Sequence, residues 1–139
     1  MEGHEGWLKK LKAQVGSNVD LHLVNNNSGK ECFASISEIL DQNYPNIKLD
    51  IIIIDGLWRD ETSDIALNVI APDGVIIYDN SDREGEYIGN CYEKFKNTGL
   101  SRIDFFGYVA RSSQSLCTSI FLRADSFIVS NKHRISDDL

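Results

Sequence analysis

The feature that most constrains this chain is the run LDIIIID at residues 49–55, in which four isoleucines close on an aspartate. β-Branched side chains pack well on a pleated surface and are restricted in a helix, so the run predicts a strand. A strand apolar at every position needs cover on both faces, the condition of a parallel strand sandwiched between helices. The run is far shorter than the roughly 18 apolar residues a membrane-spanning helix requires. The same grammar recurs at residues 74–80, GVIIYDN, which end on Asp79 and Asn80.

Around these strands the apolar spacing alternates between the helical and the extended period. Leu8, Leu11 and Val15 predict a helix over 4–15, with Trp7 packed beside Leu11, Lys9, Lys10 and Lys12 solvated, and Gly16-Ser17 as its end. Val19, Leu21 and Leu23 alternate and predict a strand over 19–25. Phe33, Ile36 and Leu40 predict the face of a helix over 31–42, which Tyr44-Pro45-Asn46 breaks. Residues 48–54 are the isoleucine strand, 60–70 a short helix capped by Asp60 or Thr62, 71–74 a turn, and 75–80 the next strand. A helix over 84–98 presents Ile88, Cys91, Tyr92 and Phe95 and closes at Gly99. RIDFFGYV (102–109) and LCTSIFLR (116–123) flank a polar loop and predict a hairpin; the polar tail from Asp125 has room for one more strand at SFIVS. Strands alternating with helices of this length indicate an α/β fold with a mostly parallel sheet, one domain over 1–123 and a tail over 124–139.

Composition narrows the functional classes. A chain of 139 residues with net charge −7 repels nucleic-acid phosphate, so no nucleic-acid partner is expected. The N-terminal MEGHEGWLKK has no signal-peptide pattern, and no membrane association is expected. The three cysteines, Cys32, Cys91 and Cys117, have neither metal spacing nor an even count, which suits a reducing cytoplasm. His4, His22 and His133 form no catalytic set, and Ser113 and Ser115 have no base in a recognisable motif.

In an open parallel sheet, ligands sit beyond the carboxyl ends of the strands. Asp55 and the Asp79-Asn80 pair fall at such ends in consecutive βα units, and neighbouring strands lie about 4.8 Å apart, so their polar groups are expected to converge. Carboxylates gathered there need a cation, a ligand donor or an arginine nearby, and Arg59 and Arg83 each follow an acid by four residues. Trp58 is placed to wall a ligand pocket. The plainer reading is that Asp-Gly makes a turn and that each Asp caps the following helix.

With these residues in view, DIIIIDGLWR, then APDGVIIYDNSDR, GLSRIDFFGY and CTSIF, the chain over 1–123 resembles class I S-adenosylmethionine-dependent methyltransferases. The resemblance implies a Rossmann-like sheet of seven strands in the order 3-2-1-4-5-7-6, with strand 7 antiparallel. Residues 19–25, 48–54, 75–80, 102–109 and 116–123 would then be strands 3 to 7. It also implies Glu2 as an acid for the cofactor ribose, with Asn25 or Asn26 in the place of the adenine-side acid. Asp55 and Asp79 become catalytic candidates, Asp55 a cofactor contact as well, and Trp58, Arg59 and Asn80 contacts to a small-molecule acceptor. In cation-dependent O-methyltransferases the positions of Asp55, Asp79 and Asn80 hold a metal such as Mg2+. Relatives with the same motifs lack that requirement, and no metal ligand is assigned.

The family's first strand and glycine-rich loop have no counterpart ahead of Glu2, so the resemblance implies an incomplete domain. Three outcomes would satisfy the open isoleucine edge. The chain is part of a longer protein; strand 19–25 slides in beside 48–54 through a right-handed crossover; or two copies pair their edges as a homodimer. Two functions follow: methyl transfer to a small-molecule hydroxyl or amine, or a non-catalytic remnant that keeps the fold without the cofactor. A phosphate-receiving response-regulator domain also gathers acids at strand ends, but its early acidic pair and late lysine are not in place here.

Overall fold

The computed structural model describes residues 1–82, 90–108 and 114–129. They form two compact units, Met1–Ile47 and Lys48–Leu139. Among them no helix is long and apolar enough to cross a membrane.

The first unit holds α1 (Glu5–Lys12) and α2 (Gly29–Asn43). Ser28 caps α2: its hydroxyl oxygen accepts from the Glu31 N–H at 3.3 Å while the hydroxyl donates to the Glu31 carboxylate at 3.0 Å. Residues 19–25 do not form the expected strand; the segment makes an isolated parallel bridge between Glu2 and Leu23. The Glu2 N–H donates to the His22 carbonyl and the Val24 N–H to the Glu2 carbonyl, at 2.9 and 2.8 Å. Without a full ladder the expected alternation fails: Val19 and Leu23 are exposed and Val24 is buried. Two helical faces are also rotated from expectation. On α2 the buried side chains are Cys32 and Ile36, while Phe33 is exposed; on α1, Trp7 lies in solvent under the Lys10 ammonium, 4.7 Å from its ring.

The second unit is a four-stranded mixed sheet in the order β1-β2-β4-β3, built from β1 (Leu49–Ile54), β2 (Ile70–Tyr78), β3 (Ser101–Tyr108) and β4 (Ser115–Leu122), with helices α3 (Arg59–Val69) and α4 (Cys91–Asn97). β1 pairs parallel to β2, whereas β4 runs antiparallel to both β2 and β3. This α/β arrangement agrees with the parallel isoleucine strand and the C-terminal hairpin read from sequence.

β2 meets the burial its composition demands: Val75, Ile76 and Tyr78 are almost fully buried. Each such side chain stabilises the fold by roughly 1.5–3 kcal/mol. β1 meets it on one face only. Ile54 is buried and Ile52 packs on the core, but Ile51 and Ile53 are 52% and 66% exposed, because β1 is an edge strand here rather than a central one. The core between sheet and helices is aromatic: Phe95 of α4 meets Phe121 of β4 at 4.6 Å between ring centroids and Tyr78 of β2 at 6.2 Å. Gly99, at φ 78°, follows α4 in the left-handed conformation that glycine adopts without strain.

Three boundaries differ from expectation. Residues 71–74 are not a free turn but the first half of β2, with a register irregularity between Leu49 and Ile51. α3 starts at Arg59 behind Trp58, so neither Asp60 nor Thr62 is its N-cap; the Thr62 hydroxyl instead donates to the Trp58 carbonyl at 2.6 Å. Residues 127–129 form a turn rather than a strand. The expected helix 84–98 is observed from Cys91; its earlier part with Ile88, like Arg83, Ser113 and His133, lies outside the described residues.

Candidate active site at the ends of β1 and β2

The parallel pairing of β1 and β2 runs to Ile54 opposite Tyr78, and the Asp79 N–H donates to the Ile54 carbonyl at 3.0 Å. The next residues on each strand, Asp55 and Asp79, therefore leave the sheet side by side. Their carboxyl groups are within hydrogen-bonding reach. Partial burial at the rim raises the proton affinity of Asp55, the charge and hydrogen bond of Asp79 raise it further, and Arg59 works against both.

Arg59 is the counter-charge. Its guanidinium lies 3.7 Å from the Asp55 carboxylate and 3.5 Å from the Asn80 side-chain oxygen, and its carbon sits 5.9 Å from the Tyr78 ring centroid. The residue is 7% exposed, and its Nε is buried without a partner. The Asp55 carboxylate and the Asn80 side-chain oxygen at its outer end offset part of the cost of holding a cation this far inside. The chain reaches this geometry through two unusual backbones. Trp58 and Asn80 have φ of 56° and 52°; asparagine tolerates that region, but for a bulky tryptophan it is strained. Such strain concentrates at sites held in place for function.

Asp79 has a second partner, the Thr118 hydroxyl, which donates at 2.7 Å. Register explains this. Tyr78 of β2 faces Ser119 of β4, so the residue beyond Tyr78 meets Thr118. Thr118 also faces Phe105 of β3, and an open groove of about 470 Å³ lies there. Asp79, Asn80, Thr118, Phe105, Phe106 and Tyr108 line it. Gly107 and Leu116 complete the lining. Thr118 and the three aromatic residues were not singled out from sequence, although the antiparallel register of RIDFFGY against CTSIF carries the signal.

The structure thus brings together Asp55, Asp79, Asn80 and Arg59. Trp58 adjoins them in sequence, half-buried, but is not part of the groove lining. Glu2 belongs to the first unit, where one carboxylate oxygen accepts from the His4 N–H at 2.8 Å. Asn25 is engaged locally, its side chain accepting from the Asn27 N–H at 3.1 Å. A resident divalent cation does not fit the donor set, because Asp55 and Asn80 already face the Arg59 cation. Among the described residues no three His, Cys, Asp or Glu side chains are grouped to hold a metal.

No protein-family model and no curated protein matches this chain. Among solved structures it is similar to the O-methyltransferase TomG from Streptomyces achromogenes, involved in tomaymycin synthesis and crystallised in complex with SAM. That likeness has a TM-score of 0.47 and 12% identity, over 87% of this chain and 69% of that one. A likeness at this level carries no functional argument.

Proposed function

We propose that the chain is an S-adenosylmethionine-dependent methyltransferase-like protein that serves a small-molecule hydroxyl or amine. The observation that carries the reading is the placement of Asp55 and Asp79 at adjacent parallel strand ends, with Asp55 paired to buried Arg59 and Asp79 lining a groove. The sequence motifs DIIIIDG and APDGVIIYDN end on these same residues. When bound, S-adenosylmethionine supplies an electrophilic methyl carbon on a positively charged sulfur. Asp55 is the acid of the second unit that we assign to hold it. Asp79, held by Thr118, orients the acceptor, and the carboxyl pair takes the proton that the acceptor releases. Asn80 and Arg59 keep Asp55 in place.

One observation favours a second reading, a non-catalytic remnant: residues 19–25 make a single bridge with Glu2 rather than a strand beside it. Calorimetric titration with S-adenosylhomocysteine separates the two. Micromolar binding that Asp55→Ala weakens at least tenfold supports the methyltransferase reading. Absence of binding at millimolar ligand overturns it and leaves the remnant.

A further inference from the structure

β3 is exposed along its whole length, from Ser101 to Tyr108. It pairs with β4 on one side, and among the described residues its outer side has no partner. Gly107, whose surface is all backbone, is exposed, and a Cβ there would meet nothing within 4 Å. The strand is apolar on both faces. Ile103 and Phe105 lie with Ile120 and Thr118 on one, and Phe106 lies with Cys117 on the other, followed there by Tyr108. An edge strand left in water is ordinarily guarded by proline, lysine, a bulge or short length. β3 has none of these over its eight residues, which keep unbroken register. Its two charges do not guard it, because Arg102 and Asp104 bind each other and Asp104 also takes the Ser119 hydroxyl of β4. Such an edge is a template for another strand.

We infer that β3 pairs with β3 of a second copy, antiparallel, about a two-fold axis at Phe105. Around such an axis each residue faces one of the same parity, and only the central residue faces itself. A centre at Asp104 sets two like charges directly opposite, which is destabilising. A centre at Ile103 or at Phe106 limits the overlap within β3 to 101–105 or 104–108. The centre at Phe105 pairs 102–108 and opposes no like charges. Phe105 then meets its counterpart, Arg102 meets Tyr108, Asp104 meets Phe106, and Ile103 lies opposite Gly107, where no Cβ is in the way. Phe105, Phe106 and Tyr108 are 54%, 71% and 82% exposed. At roughly 200 Å² for a buried aromatic side chain, they offer on the order of 400 Å² per copy. A stable dimer buries about 800 Å² per partner, so with Ile103 and the backbone edge the contact falls at the low end of interface sizes, and association is expected at micromolar concentration. The inference is independent of methyl transfer. It bears on the site all the same, since Phe105 lines the groove with Asp79 and Thr118, and the axis brings the second copy to its rim.

Sedimentation velocity of the full chain from about 1 to about 200 μM tests this. The mass is expected to rise from one chain to two. Phe105→Lys sets two ammonium groups face to face at the axis and should weaken association at least about tenfold, with the thermal midpoint of the dilute chain unchanged. Ile53→Lys, on β1 at the opposite edge of the sheet, should leave the dimer intact. Single cysteines read the register directly, because the native cysteines are buried and stay out of the reaction. Phe105→Cys should form a disulfide-linked dimer on mild oxidation, since the central residue faces itself. Phe106→Cys should not, because its two copies lie roughly 8 Å apart in this register, beyond disulfide reach. A chain that stays monomeric over the whole range would overturn the inference. So would a dimer that Ile53→Lys dissociates and Phe105→Lys does not, or a Phe105→Cys chain that cross-links no better than Phe106→Cys.

Discussion

The backbone N–H of Asp79 donates to the carbonyl of Ile54 at 3.0 Å, one residue before Asp55. That bond fixes the two strand ends in step. It places Asp79 where its charge raises the proton affinity of Asp55, and Arg59 is the inner partner that opposes that rise.

Arg59→Ala should destabilise the second unit by about 2–4 kcal/mol, because it leaves facing carboxyls without a counter-charge and removes packing from Tyr78. Arg59→Met restores the packing but not the charge, so it should recover only part of that loss. Urea denaturation followed by tryptophan fluorescence measures both.

Gly74 lies in the part of β2 that sequence reading assigns to a turn. A Cβ there would sit 2.9 Å from the carbonyl oxygens of both Leu49 and Asp50. Backbone atoms of a paired strand cannot step aside cheaply, so Gly74→Ala should lower stability by about 1–3 kcal/mol. A thermal midpoint equal to wild type would show that β1 and β2 do not approach as described.

Phe95 is fully buried among Tyr78 and Phe121. Phe95→Ala is expected to remove about 3–5 kcal/mol, read from the same urea transition.

Asp104 anchors the hairpin. The Ser119 hydroxyl and the Arg102 guanidinium both donate to its carboxylate, and Arg102 also lies 4.4 Å from the Tyr92 ring centroid. The Ser119 hydrogen bond, followed by that of Arg102, holds the Asp104 carboxyl below the usual carboxylate range. A depressed acid contributes stability above its unfolded value of 3.8, and that contribution is lost as pH falls through the lower folded value. Asp104→Asn should therefore lower the thermal midpoint at pH 7 and lose that effect as pH falls below about 4. A difference between variant and wild type that stays constant from pH 7 to pH 3 would contradict the assignment.

The element types of the second unit were legible because each burial requirement showed as a period: isoleucines for β1 and β2, and Cys91, Tyr92 and Phe95 for α4. The convergence of Asp55, Asp79 and Asn80 followed from parallel pairing alone. What sequence could not show was set by partners distant in the chain. Residues 19–25 alternate like a strand, yet the structure gives them one bridge, so alternation was read as pairing that is not there. The α3 start was missed because Trp58 adopts a backbone no propensity favours for it. The groove was missed because Phe105 and Thr118 face each other only through hairpin register.

The central claim is that Asp55 and Asp79 leave adjacent strand ends close enough for Asp79 to raise the proton affinity of Asp55, and carboxyl-carbon NMR across pH 2–8 tests it most directly. The account predicts Asp55 titrating above its ordinary 3.8 and falling back toward that value in Asp79→Ala. An Asp55 that titrates at its ordinary 3.8 in the wild-type chain and is unchanged by Asp79→Ala would contradict it.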